Sequence, residues 1–234
     1  MNKHTGTTPT IPTVDLEPAA RQIADLLPGI HEQQLAGPTP CPDYTVRELL
    51  AHVAGLATAF RDAARKEFGP TTDTAPDAAL PVLAEGWRET LPTLLDELVT
   101  AWRAPAARQG MTRAGGVDLP GDVAAVIALD ELVIHGWDLA RSTGQKYEPG
   151  EESLRVSLAM LTPSDAVPRS ESIFGPPVPV AADAPLVDRA VAMSGRRPDL
   201  QPGDLRTGGG RPPRPKGPHP AVGASEARCP GAVS

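Results

Sequence analysis

The stretch "LDELVIHGWDLA", Leu129 to Ala140, limits the fold more than any other part of this chain. At about 100° per residue a helix turns Glu131, His135 and Asp138 into one arc of roughly 60°. Around that arc lie Val126, Ile127, Leu129, Leu132, Val133, Ile134, Trp137 and Leu139. A helix apolar over so much of its circumference belongs in a protein interior. Carboxylates and imidazoles carried into an interior must be paired, hydrogen-bonded or ligated, because bare burial costs several kcal/mol. The segment therefore predicts a buried helix with an organised polar stripe. The alternative is an amphipathic helix on which Asp130, Glu131, Asp138 and Arg141 form a solvated face.

The rest of the chain suits helices. Apolar residues make up 40% but aromatics only 3%, so the core must be built from Leu, Val, Ala and Ile. The 28 prolines cluster between apolar segments and near the ends, leaving the segments intact. A net charge of −7 gives no basic footprint and argues against nucleic acid as a partner. No apolar run reaches the ~18–20 residues of a membrane-spanning helix. The opening "MNKHTGTTPTIPTVD" has no apolar stretch of the signal-peptide kind. Cys41 and Cys229 are far apart in sequence, which predicts reduced thiols and a cytoplasmic protein.

Residues 1–12 read as a loose arm and 13–200 as one helical bundle, with 201–234 a Gly/Pro-rich, disordered tail. The first helix is expected from near Thr13, divided at Pro28. "TVRE" supplies a capping box, Thr45 with Glu48, that opens a second helix closing by Gly69-Pro70. A third is expected over Ala78 to Arg103. "TRAGGVDLPGD" reads as a loop leading into the fourth, Asp122 to Ser142, which Gly144 follows. Shorter helices are expected at Glu151 to Leu161 and Pro185 to Met193.

Glu131 and His135, one turn apart, are near enough to share a metal ion. A third ligand must come from another helix, and His52, on the face of Leu49, Val53, Leu56 and Phe60, points toward the core. Two histidines and a glutamate suit zinc or a similar divalent ion. The competing reading leaves His52 a core histidine bonded to backbone, distant from His135. For Asp138, support of an imidazole competes with a salt bridge to Arg141. Trp137 reads as core. Cys41, wedged between Pro40 and Pro42, reads as a packed turn residue. His4, His31 and His219 are assigned no role.

"PTPCPDYTVRELLAHVAGL" (Pro38 to Leu56) and "DELVIHGWDLARSTGQ" (Asp130 to Gln145) resemble the actinobacterial metal-binding branch of the DinB-like superfamily. Its best-known relative is the mycothiol-dependent maleylpyruvate isomerase, through its N-terminal domain. The resemblance runs over roughly residues 13–200, including "LVDRAVAMSGRRPDL". It implies an all-α fold: an up-and-down four-helix bundle, here with short additional C-terminal helices. It also implies a divalent metal, zinc above all, held by His52, Glu131 and His135. The implied chemistry is the addition or isomerisation of a small electrophile by a small thiol such as mycothiol. The isomerase has a further C-terminal domain contributing to its active site, and no equivalent is visible here. The alternative is thus a non-catalytic metal-binding or ligand-sequestering module, with a homodimer as one way to cover a bundle face.

Overall fold

The computed structural model describes residues 14–42, 44–75, 82–163 and 175–205. The predicted arm over 1–12 and the chain beyond residue 205 lie outside the described residues. Helix α1 (Glu17–Leu26) starts with a proline in its first turn, where no amide donor is needed. Pro28 sits in the 3-10 turn Leu27–Gly29, so the first helical segment is divided where the sequence predicts. Helix α2 (Val46–Arg65) opens on the expected capping box. The Glu48 carboxylate accepts from the Thr45 amide and hydroxyl, both at 2.7 Å. The helix closes at Lys66, whose φ of 60° is left-handed, short of Gly69-Pro70. The Lys66 ammonium reaches the carbonyls of Gln109 and Met111, which offsets that backbone cost.

A single turn, α3 (Pro70–Asp73), precedes α4 (Trp87–Arg103). The expected start of the third long helix at Ala78 is not where the helix begins. Residues 82–86 are irregular, and Gly86, at φ 70°, turns the chain into Trp87. Pro92 lies inside α4 without ending it. The segment read as a loop before the fourth long helix is a β-hairpin. Strands β1 (Met111–Ala114) and β2 (Val117–Pro120) pair antiparallel, Met111 opposite Pro120 and Ala114 opposite Val117. Gly115 and Gly116, at φ 60° and 78°, supply the two positive dihedrals a two-residue hairpin turn requires. Four-residue strands are too short for alternation to show, but the Gly-Gly pair was the available signal.

Helix α5 (Gly121–Thr143) follows, ended by Gly144 at φ 73°. Helices α6 (Glu151–Leu161) and α7 (Leu186–Met193) complete the order close to their expected limits. The long helices form a bundle in which α1 and α2 each pack on both α4 and α5. Helix α6 lies on α5, and α7 lies on α6 and α5. The turn Pro202–Asp204 also touches α5. Among the described residues the fold is all-α but for the hairpin, and α5 is its axis. Leu129, Leu132, Val133, Ile134, Trp137 and Leu139 are all buried in the common core.

The stretch around His135 is braced from behind by Tyr147, whose hydroxyl donates to the carbonyls of Leu132 and Val133 at 3.1 and 2.9 Å. Gly136 makes this approach possible. A Cβ there would lie 2.5 Å from the tyrosine oxygen and 2.7 Å from Cζ. Gly136→Ala is therefore expected to destabilise the protein by about 1–3 kcal/mol through overpacking, despite alanine's better helix propensity. Urea denaturation should show a smaller loss when Tyr147 is already leucine. An equal loss in both backgrounds would remove Tyr147 as the cause.

Candidate metal centre

Because α2 and α5 are neighbours in the bundle, their polar positions meet. His52 projects from α2; Glu131 and His135 project from α5 one turn apart. Each offers a ligand atom, and the three atoms lie within 4.8 Å of one another. The imidazole rings of His52 and His135 meet edge to face, centroids 4.9 Å apart. Glu131 Oε2 stands 3.1 Å from His135 Nε2. The three residues singled out in the sequence are thus brought together, and the arrangement with His52 remote from His135 is not the one adopted.

The outer side of each imidazole is also engaged. His135 Nδ1 donates to Asp138 Oδ2 at 3.0 Å. Tyr44 Oη lies 3.4 Å from His52 Nδ1, with the two rings 4.9 Å apart between centroids. In both cases Nδ1 is occupied from behind, which leaves Nε2 to face the centre. Glu131 keeps 25% of its side-chain surface accessible whereas Asp138 keeps none. The cluster is therefore sealed on the Asp138 side and open toward Glu131.

Asp138 is neither on a solvated face nor paired with Arg141. Its partner is Arg196, which the sequence reading did not single out. Arg196 Nε donates to Oδ1 at 2.8 Å and a terminal nitrogen to Oδ2 at 2.7 Å. Arg141 instead donates to the Pro198 carbonyl and lies over the Trp137 ring. The only local signal for Arg196 was the glycine before it, which marks a helix end and a sharp turn back toward the bundle.

The charges alternate along this chain of contacts. Burial, followed by the neighbouring His135, pulls the His52 pKa down to about 4, so this imidazole is neutral at pH 7. Burial acts in the same sense on His135, but hydrogen bonds to Asp138 and Glu131 outweigh it and hold the pKa at about 9. Burial would raise Glu131, yet the His135 hydrogen bond keeps its carboxyl below the usual range. Asp138 is likewise lowered, with Arg196 overcoming the effect of burial. The cluster thus contains one neutral imidazole, one imidazolium and two carboxylates, with Arg196 as the final cation.

The remaining candidates have plain structural places. Asp130 is buried and accepts from Ser157 Oγ at 2.6 Å. Burial pushes its pKa up to about 7 against that hydrogen bond. Trp137 is core. The Cys41 carbonyl accepts from the Thr39 hydroxyl and the Tyr44 amide, as a turn residue would, while its thiol falls within the electrostatic reach of Arg196. His31 is exposed beside the turn Glu32–Gln34. His4, His219 and Cys229 lie outside the described residues. Among the described residues no helix is long and apolar enough to cross a membrane.

The family model of the mycothiol maleylpyruvate isomerase N-terminal domain matches residues 16–140, and the chain belongs to that family. Two curated relatives, the uncharacterized proteins Rv0738 and MT0763 of Mycobacterium tuberculosis, are each 28% identical over 189 residues. These matches cover 74% of this chain and 91% of each relative. Among solved structures, the mycothiol-dependent maleylpyruvate isomerase aligns at 23% identity and a TM-score of 0.48. A histidine-to-alanine mutant of that isomerase aligns at 22% and 0.49. Both alignments cover 64% of this chain and 68% of the other.

The two histidines give the metal-free protein a defined response to pH. His135 is raised on folding, so its stabilisation is fully present below the unfolded value near 6.5 and is lost as pH rises through about 9. His52 is lowered, so it opposes folding increasingly as pH falls from 6.5 toward 4. Chelator-treated protein should therefore lose stability between pH 6.5 and 9, measured by denaturant titration. His135→Gln should flatten that limb. A limb equally steep in the variant would assign it to another group.

Proposed function

We propose that this chain binds one divalent metal ion, zinc by preference, through His52, Glu131 and His135, and uses it to act on a small thiol. The observation carrying this reading is the convergence of the three ligand atoms within 4.8 Å. The donor chemistry fits. His52 is already neutral, Glu131 is ionised, and His135 has only one proton to give up on the side facing the centre. Two imidazoles and one carboxylate match a zinc set with a position left for an exogenous ligand.

Each side chain has a definable task. Asp138 accepts the His135 Nδ1 proton and so presents Nε2 inward. Tyr44 does the same for His52 when the Nδ1 proton points to its oxygen. The apolar residues surrounding α5 exclude water from the closed side, where Asp138 has no accessible surface. When bound, a divalent ion at this position would favour the thiolate form of a coordinated thiol at neutral pH. Family membership makes mycothiol the thiol of choice, with a small electrophile as acceptor in a transfer or isomerisation reaction. A cytoplasmic location, where such thiols are kept reduced, follows from this reading. The unit proposed to do this is the bundle over residues 13–200; the tail expected to start at 201 is ordered at its first residues, where the turn Pro202–Asp204 touches α5.

Elemental mass spectrometry of the purified protein is expected to find one equivalent of zinc. The combined His52→Ala, Glu131→Ala, His135→Ala variant should carry none. Asp138→Asn should retain metal with affinity reduced roughly ten- to hundred-fold, the usual cost of losing an outer hydrogen-bond partner. Metal absent from wild-type protein even after reconstitution would overturn the proposal. Stoichiometric metal with no effect on any small thiol and electrophile pair would instead favour a non-catalytic metal-binding module.

A further inference from the structure

Arg196 reaches the site from beyond residues 16–140, the stretch that the family model matches. Its route is built by a specific turn. Helix α7 ends with Gly195 at φ 86°. The Gly195 amide donates to Ala192 and the Arg196 amide to Val191, each at 3.0 Å. This paired arrangement satisfies the last carbonyls of the helix and reverses the chain. Gly195 is needed twice, since a Cβ there would also lie 2.8 Å from Gly175 Cα. The reversal sends the guanidinium back to α5. There it grips both oxygens of Asp138 while a terminal nitrogen lies 3.2 Å from Ser194 Oγ. Arg196 keeps 13% of its side-chain surface accessible and Asp138 none.

We propose that Arg196 is a positioning residue of the metal centre: by clamping the Asp138 carboxylate at both oxygens, it fixes the direction in which Oδ2 holds the His135 imidazole. The inference rests on the metal-binding reading above. A carboxylate held through one oxygen can turn about its terminal torsion, whereas a planar fork on both oxygens sets its plane. Oδ2 accepts from His135 and Arg196 together, so the plane set by the arginine is the plane the imidazole meets. Helices α6 and α7 are then part of the centre's construction, although neither contributes a ligand.

The test uses the full-length protein and cobalt(II) as the probe, read by its visible ligand-field spectrum and by titrated affinity. In Arg196→Met the spectrum is expected to shift and cobalt affinity to fall ten- to hundred-fold, as for loss of an outer partner. An unchanged spectrum and affinity, with only a lower unfolding midpoint in both metal-free and cobalt-loaded protein, would make Arg196 a merely structural brace and overturn the inference. If Arg196→Met does not fold, Arg196→Lys decides. It keeps the charge but loses the fork, so a shifted spectrum and several-fold weaker cobalt binding support positioning, and wild-type values overturn it. Wild-type protein that takes up no cobalt would defeat the metal reading itself. That outcome is distinct from cobalt binding that is indifferent to Arg196.

Discussion

Everything at the centre of this protein depends on a carboxylate with no contact with water. Asp138 sits inside the bundle and is tolerated there because the His135 imidazole meets it on one side and the Arg196 guanidinium on the other. Removing one partner from such a buried arrangement typically costs 3–5 kcal/mol, because the surviving charge is left uncompensated. The same arithmetic extends outward. His135 is held charged by Asp138 and Glu131 together, and His52 is kept neutral by burial and by His135. Signs alternate from Arg196 through Asp138 and His135 to Glu131. A long, largely apolar α5 can carry three ionisable groups on one stripe because each has an opposite charge within hydrogen-bonding distance.

This arrangement gives the C-terminal helices a reason to exist. A bundle of α1, α2, α4 and α5 would provide all three proposed ligands by itself. It would not provide the second cation, Arg196, that holds Asp138 on its other side. Helices α6 and α7 pack along α5, and the glycine turn ending α7 returns Arg196 to the bundle. Ser157 of α6 similarly supplies the hydrogen bond to Asp130. Two buried carboxylates of one helix are thus satisfied from two added helices, one from each.

The extent to which this was legible follows from the range of each interaction. Helical periodicity places Glu131, His135 and Asp138 on one stripe, and the apolar face of α2 directs His52 inward. Those are local relations, and the structure brings the four side chains together. The partner of Asp138 was not local. Arg141, three residues on, was the nearest cation in sequence, yet it leans on Trp137 while Arg196 makes the pair across 58 residues. Spacing rules see across one or two helical turns; only the path of the chain brings α7 to α5. The hairpin was missed because each strand is four residues long, and α4 starts late because Gly86 sets its first turn. The capping box of Thr45 and Glu48 and the closing Gly144 were legible because each encodes its boundary within a few residues.

The asymmetry of the cluster also bears on how a ligand would approach. Asp138 and Arg196 close one side, where further polar contact would have to displace an ion pair bonded at two points. Glu131 retains accessible surface, and His52 is only partly buried, with Tyr44 against it. His52, Glu131 and His135 would hold a metal ion between α2 and α5, with Glu131 and His52 on the more accessible side. Rigidity and access are assigned to opposite sides of the same imidazole: Nδ1 of His135 is fixed through Asp138 to Arg196, while Nε2 faces Glu131, which keeps accessible surface.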